Sequence, residues 1–101
     1  MIKMKAWIKI QKIEQETHSE VILGICDENL LGFEEGDFKI SEYFFKGELV
    51  EIEEGLKKIK SATIINLFGE SVTSEAIKHG YIEESNVGKV NEIPHAQIFV
   101  L

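Results

Sequence analysis

Residues 62–80 read ATIINLFGESVTSEAIKHG, and this stretch decides the fold. Its first part, Ala62 to Phe68, is apolar apart from Thr63 and one amide, Asn66. Such a short, β-branched run predicts a strand buried in a sheet. Gly69 follows, then a polar segment with both ends of a helix marked. Glu70 and Ser71 suit a first turn, where free backbone amides and the positive end of the dipole favour acceptors. Lys78 and His79 suit the last turn, and Gly80 suits the left-handed position just past it.

Toward the C-terminus, residues 81–92 read as a turn-rich connection with one short strand near Val87–Val90. Gln97 to Leu101 reads as the final strand. Strand, helix, strand in that order favours a right-handed parallel crossover. Toward the N-terminus, Ile2, Met4, Ala6, Ile8 and Ile10 alternate with Lys3, Lys5, Trp7, Lys9 and Gln11. That period of two predicts a strand with one buried side. Trp7 is expected to pack under a neighbouring element, with lysine stems laid along it. A polar connection, Glu14–Glu20, leads to VILGIC at 21–26, so the two strands should form an antiparallel hairpin whose second strand lies in the sheet interior.

The middle of the chain is less regular. Phe38 and Ile40 alternate briefly, Tyr43, Phe44 and Phe45 form an aromatic cluster closed by Gly47, and Ile52, Leu56 and Ile59 mark one face of a short helix. The expected architecture is α+β: a single domain over residues 1–101, with a mixed β-sheet, an N-terminal antiparallel hairpin, two short helices and a C-terminal β-α-β unit.

Composition narrows the chemistry. The chain has 101 residues and 44% hydrophobic content, enough for one packed core. Cys26 is the lone cysteine, so no internal disulfide can form, and a reducing cytoplasm is the expected compartment. No apolar run approaches the ~20 residues of a membrane helix, so no membrane partner is expected. The net charge is −7, unevenly spread: residues 13–56 hold thirteen acids against two lysines, a net of −11. All eleven basic residues are lysine. Arginine is the usual reader of phosphate and guanine, so an acidic chain without it is a poor candidate for sequence-specific nucleic-acid binding.

Three strand ends could hold chemistry: Cys26–Asp27, Asn66 to Ser71, and Pro94 to Gln97. Gly69 permits close backbone approach beside a helix N-terminus that could hold an anion, although one glycine is not a phosphate loop. Asn66, within an apolar run, needs a partner, most simply a loop backbone. Pro94 suits a strand start, and alternation would turn His95 and Gln97 the same way. The ligand-binding candidates are therefore Asp27, Asn66, Gly69, His95 and Gln97, and Asp27, Asn66, His95 and Gln97 are expected to form one corner. Cys26 and His95 are the residue types of a nucleophile and its base, with Asp27 or Asn66 to orient the imidazole. A thiol inside an apolar strand is ordinarily inert, however. No His or Cys pair has zinc-like spacing, so neither a metal nor another cofactor is expected.

In order along the chain, CDENLLG at 26–32, EYFFKGELV at 42–50, ATIINLFGES at 62–71, Ala76, Gly80 and IPHAQ at 93–97 resemble the uncharacterised archaeal family known as domain of unknown function 424. The resemblance spans Cys26 to the C-terminus. Its strong positions fall on Cys26, Asp27, Leu30, Leu31, Gly32, Phe45, Gly47, Asn66, Gly69, Gly80, Pro94, His95, Ala96 and Gln97. Lys46 departs from it, standing where an aromatic or a glycine is more typical. The resemblance implies a small cytoplasmic protein with a loose link to translation and the ribosome, and no established activity. The leading expectation is a non-enzymatic binding module for a protein or ribonucleoprotein partner, or for a small polar ligand. The alternative is a small hydrolase or transferase using Cys26 or His95 with Asp27 and Asn66.

Overall fold

The computed structural model describes residues 4–100. Ile2 and Lys3, expected on the first strand, and Leu101, expected on the last, lie outside the described residues. The elements run β1 (Lys5–Glu14), β2 (Ser19–Asp27), β3 (Glu34–Glu35), β4 (Phe38–Lys39), α1 (Glu42–Phe45), β5 (Glu48–Glu51), α2 (Ile52–Leu56), β6 (Ile64–Phe68), α3 (Glu70–Lys78), β7 (Gly88–Val90) and β8 (Ile93–Phe99), with short 3₁₀ turns between some of them. The main sheet has the order β5-β1-β2-β6-β8-β7, and β3 with β4 forms a separate small ribbon. Among the described residues, no helix is long and apolar enough to cross a membrane. This is the expected α+β architecture, with the expected hairpin of β1 and β2.

The sheet is mixed because β2 and β6 run parallel while the other neighbouring strands pair antiparallel. One expectation is corrected here. The last strand does not run parallel to the strand of residues 62–68; β8 is antiparallel to β6. The chain leaving α3 first forms β7 and then reverses in two residues, Asn91 at φ 50° and Glu92 at φ 67°. Two successive left-handed residues give the tight hairpin that matches strand twist. The parallel partner reached through α3 is therefore β7, and β8 fills the gap between β7 and β6. Two smaller differences concern the middle segment. The aromatic stretch closes into a single helical turn, α1, making three α-helices among the described residues. The polar edge strand β5 carries no clear alternation of apolar residues.

Alternation splits the sheet into two faces. On the first, Ala6, Ile8, Leu23, Ile25, Ile65, Leu67 and Ala96 pack with Ile52 and Leu56 of α2 and Val72 and Ala76 of α3. On the second, Trp7, Cys26 and Phe68 pack against residues of the 28–46 segment, chiefly Ile40 and Phe45. Phe45 meets Phe68 edge-on at 5.7 Å between ring centres. Gly24 makes room for this cover: a Cβ there would stand 3.0 Å from the rings of both Phe44 and Phe45. The cover reaches no further. Ile22, Ile64 and Asn66 remain half-buried, and Gln97 and Phe99 are exposed.

Phe45 is the aromatic that seals the cover onto the sheet. Phe45→Ala should cost about 3–5 kcal/mol in urea unfolding, the usual loss for truncating a buried phenylalanine.

Candidate functional site

Asp27 is the last residue of β2, and alternation turns it toward α3. Its carboxylate accepts hydrogen bonds from the backbone N–H groups of Ser71, at 3.1 Å, and Val72, at 2.8 Å. The residue before α3, Gly69, has no side chain with which to cap the helix, so the cap comes from another strand. Gly69 sits at φ 114°, and a Cβ on it would fall 2.3 Å from the Asp27 carboxyl carbon. Only glycine admits the carboxylate. The Gly69 N–H donates in turn to the Pro94 carbonyl at 2.8 Å, tying the ends of β2, β6 and the start of β8 together. The helix amides that an external anion would use are thus already occupied. Burial raises the Asp27 pKa above 3.8; the two backbone bonds pull it back and the charge of Glu70 adds to the rise.

Cys26, Phe68 and His95 stand in a row across β2, β6 and β8 on the second face. Cys26 is 0% exposed. Burial, with a smaller contribution from Asp27, pushes its thiol up to about 12. Two strand spacings separate Cys26 from His95, roughly 10 Å, and the Phe68 position lies between them. This arrangement places no base beside the sulfur. The His95 ring instead stacks on Phe68 at 4.1 Å between centres with 29° between planes. Burial lowers its pKa below 6.5, so the imidazole is neutral at pH 7.

Asn66 and Gln97 face each other directly across β6 and β8. The Pro94 carbonyl and the Val100 N–H both bond toward the β6 side. Even-numbered residues of β8 therefore carry the ladder, and Asn66–Gln97 is a non-hydrogen-bonded pair, the class in which side chains lie closest. Neither side chain has a hydrogen-bond partner among the described residues. The loop-backbone partner expected for Asn66 is not found among the described residues.

The five ligand-binding candidates consequently divide. Asp27 and Gly69 meet at the end of α3, and Asn66, Gln97 and His95 share the second face. The single corner expected to unite an aspartate, an amide and an imidazole is corrected to two places, because Asp27 and Asn66 alternate to opposite faces of the sheet. A shallow hollow near the α3 end, lined by Asn29, Glu70 and Glu92 among others, touches Asp27 and Gly69 but neither amide. Two further aromatics belong with the second group: Phe68, which carries His95, and the exposed Phe99. Each lies two residues beyond an amide, and that i, i+2 spacing was visible in the sequence. Among the described residues, no three His, Cys, Asp or Glu side chains gather as a metal site.

Asp27→Ala should lose about 1–2 kcal/mol of stability at pH 7 in urea unfolding, the range for a lost helix cap. Asp27→Asn keeps an acceptor and reveals the titration. Because the folded carboxyl binds its proton more tightly than the unfolded one, the wild type should gain stability relative to Asp27→Asn as pH falls toward 3.8. Cys26 should resist a thiol reagent at pH 8 in the folded protein and react fully once the protein is unfolded in urea.

A family model described as a protein of unknown function, DUF424, matches residues 15–101. Among solved structures, an uncharacterized conserved protein from Methanopyrus kandleri is similar, with a TM-score of 0.76 and 29% identity over 96% of this chain and 92% of that one. No curated protein matches the chain. With the matched region taking in β2, the cover, the capped helix and the amide pair, the chain belongs to the DUF424 family.

Proposed function

We propose that this protein is a non-enzymatic binding module, and that the uncovered half of its second sheet face recognises an uncharged, peptide-like surface of a protein or ribonucleoprotein partner. One observation carries this reading. Asn66 and Gln97 stand side by side with no hydrogen-bond partner among the described residues, next to the neutral, stacked His95 and a 60% exposed Phe99. Each amide offers donors and an acceptor, the complement of a peptide group. Phe99 adds apolar area of the kind that anchors interfaces.

The chemistry of the face also selects against other ligands. With His95 neutral at pH 7, Asn66, Gln97, His95 and Phe99 present no positive charge to a phosphate. Catalysis through Cys26 finds no support, since the thiol is sealed beneath the cover and Asp27 is engaged by α3. The link with translation implied by the family resemblance belongs to this same proposal, with a ribosomal or translation protein as the partner surface.

Asn66→Ala and Gln97→Ala should leave the melting temperature within about 2 °C, since neither removes a bond within the fold. The double variant should lose partner capture from native cell extract, whereas the wild type retains it after ribonuclease treatment. Undiminished capture by the double variant would end the proposal. Loss of wild-type capture with ribonuclease would move the contact from protein to RNA.

A further inference from the structure

Two long strands outrun the short strands beside them. β5 pairs with β1 only from Lys5 to Ile8, and β7 pairs with β8 only from Ile93 to His95. The two exposed edges differ in kind. Beyond Ile8, β1 carries Lys9, Lys12 and Glu14, charges of the sort that keep sheet edges from associating. Beyond His95, residues 96–100 read AQIFV and carry no charge and no proline. Phe99 is 60% and Val100 52% exposed.

The hydrogen-bond parity of β8 defines what this edge offers. Pro94 and Val100 bond toward β6, so the even-numbered residues face inward. Ile93 and His95, of odd number, face outward and are opposed by Val90 and Gly88 of β7. Gln97 and Phe99 share that outward parity but lie past the end of β7. Their N–H and C=O groups point away from the sheet, with no strand to receive them among the described residues.

We propose that a second copy of this chain docks here, adding its own β8 antiparallel about a twofold axis at Ile98. In that register Gln97 opposes Phe99 of the second copy, Ile98 opposes Ile98, and every outward N–H of residues 97 and 99 meets an outward C=O. Centring the axis on Gln97 instead sets Phe99 against His95, whose outward groups β7 already holds. The occupant is a second copy because the edge is its own complement. A chain of net charge −7 repels itself over most of its surface, and this uncharged edge avoids that cost. A twofold contact requires a patch that matches itself, as this one does. The pairing rests on the edge alone and is independent of the recognition reading. One consequence does bear on it: Phe99 of the second copy would lie beside Gln97, enlarging the open face from across the axis.

Sedimentation equilibrium of the full chain, with Gln97→Lys, Phe99→Glu and the double variant, tests the register. The wild type should show a concentration-dependent monomer–dimer equilibrium. Each single variant should weaken it about tenfold, from cross-strand pairs worth up to ~1 kcal/mol each. The double variant should recover it, because the new lysine opposes the new glutamate of the other copy only when the axis lies at Ile98. Both positions are exposed, and unchanged melting temperatures will show that the variants fold. Ile98→Cys should form a disulfide with its symmetry mate under oxidation, as close, directly opposed strand positions permit. A wild type that stays monomeric at millimolar concentration would overturn the proposal. So would a dimer that the single variants leave unchanged, or one that the double variant does not restore.

Discussion

The structure turns on the register of β6 against β8. Placing Phe68 opposite His95 and Asn66 opposite Gln97 puts two aromatic rings in stacking contact and two amides side by side. The same register sends Leu67 and Ala96 into the helix-covered core. A slip of β8 by one residue would exchange its two faces, driving Gln97 into that core and turning Ala96 out of it. The hydrogen bonds from Gly69 to Pro94 and from Val100 to Thr63 close the two ends of the pairing, and the burial of Leu67 and Ala96 holds the alignment between them. Specificity for this alignment is therefore built mostly from the hidden face, while its chemical consequence appears on the open one.

The second face owes its character to incomplete coverage. The 28–46 segment spends its aromatics on Trp7, Cys26 and Phe68, and Gly24 gives its rings somewhere to settle. On β6 and β8 what remains uncovered, Ile64, Asn66, Gln97 and Phe99, carries no charge. That distinguishes it from the acidic exterior, where residues such as Glu34, Glu35 and Glu42 are exposed. A neutral patch framed by negative charge favours hydrogen bonding and apolar contact over ion pairing. The edge of β8 continues that patch, so the open face and the unpaired backbone beside it form one uncharged surface.

Much of this was legible in the sequence, for local reasons. The strand at 62–68 ends at a glycine, the helix after it carries its own end signals, and Gly80 takes the expected left-handed φ of 78°. The β1–β2 hairpin follows from strict alternation over the first ten residues. The direction of β8 was not legible, because it depends on a two-residue reversal through Asn91 and Glu92, where no glycine announces the turn. β5 was missed because an edge strand needs little apolar content. The role of Asp27 was hidden for a different reason. Its helix partners lie 44 and 45 residues away, and a cap supplied from across the fold leaves no mark at the helix start beyond Gly69. Asn66, Gln97 and His95 were identified as individuals, but their separation from Asp27 required knowing which face each one takes.

Residue-resolved amide hydrogen exchange on dilute protein tests the β6–β8 register most directly. With even-numbered residues bonded inward, the amides of Ala96 and Ile98 should exchange slowly, whereas those of Gln97 and Phe99 should exchange quickly and gain protection as the concentration rises. Protection of Gln97 and Phe99 at every dilution, or equally rapid exchange at Ala96 and Ile98, would contradict the alignment from which both the amide pair and the open edge follow.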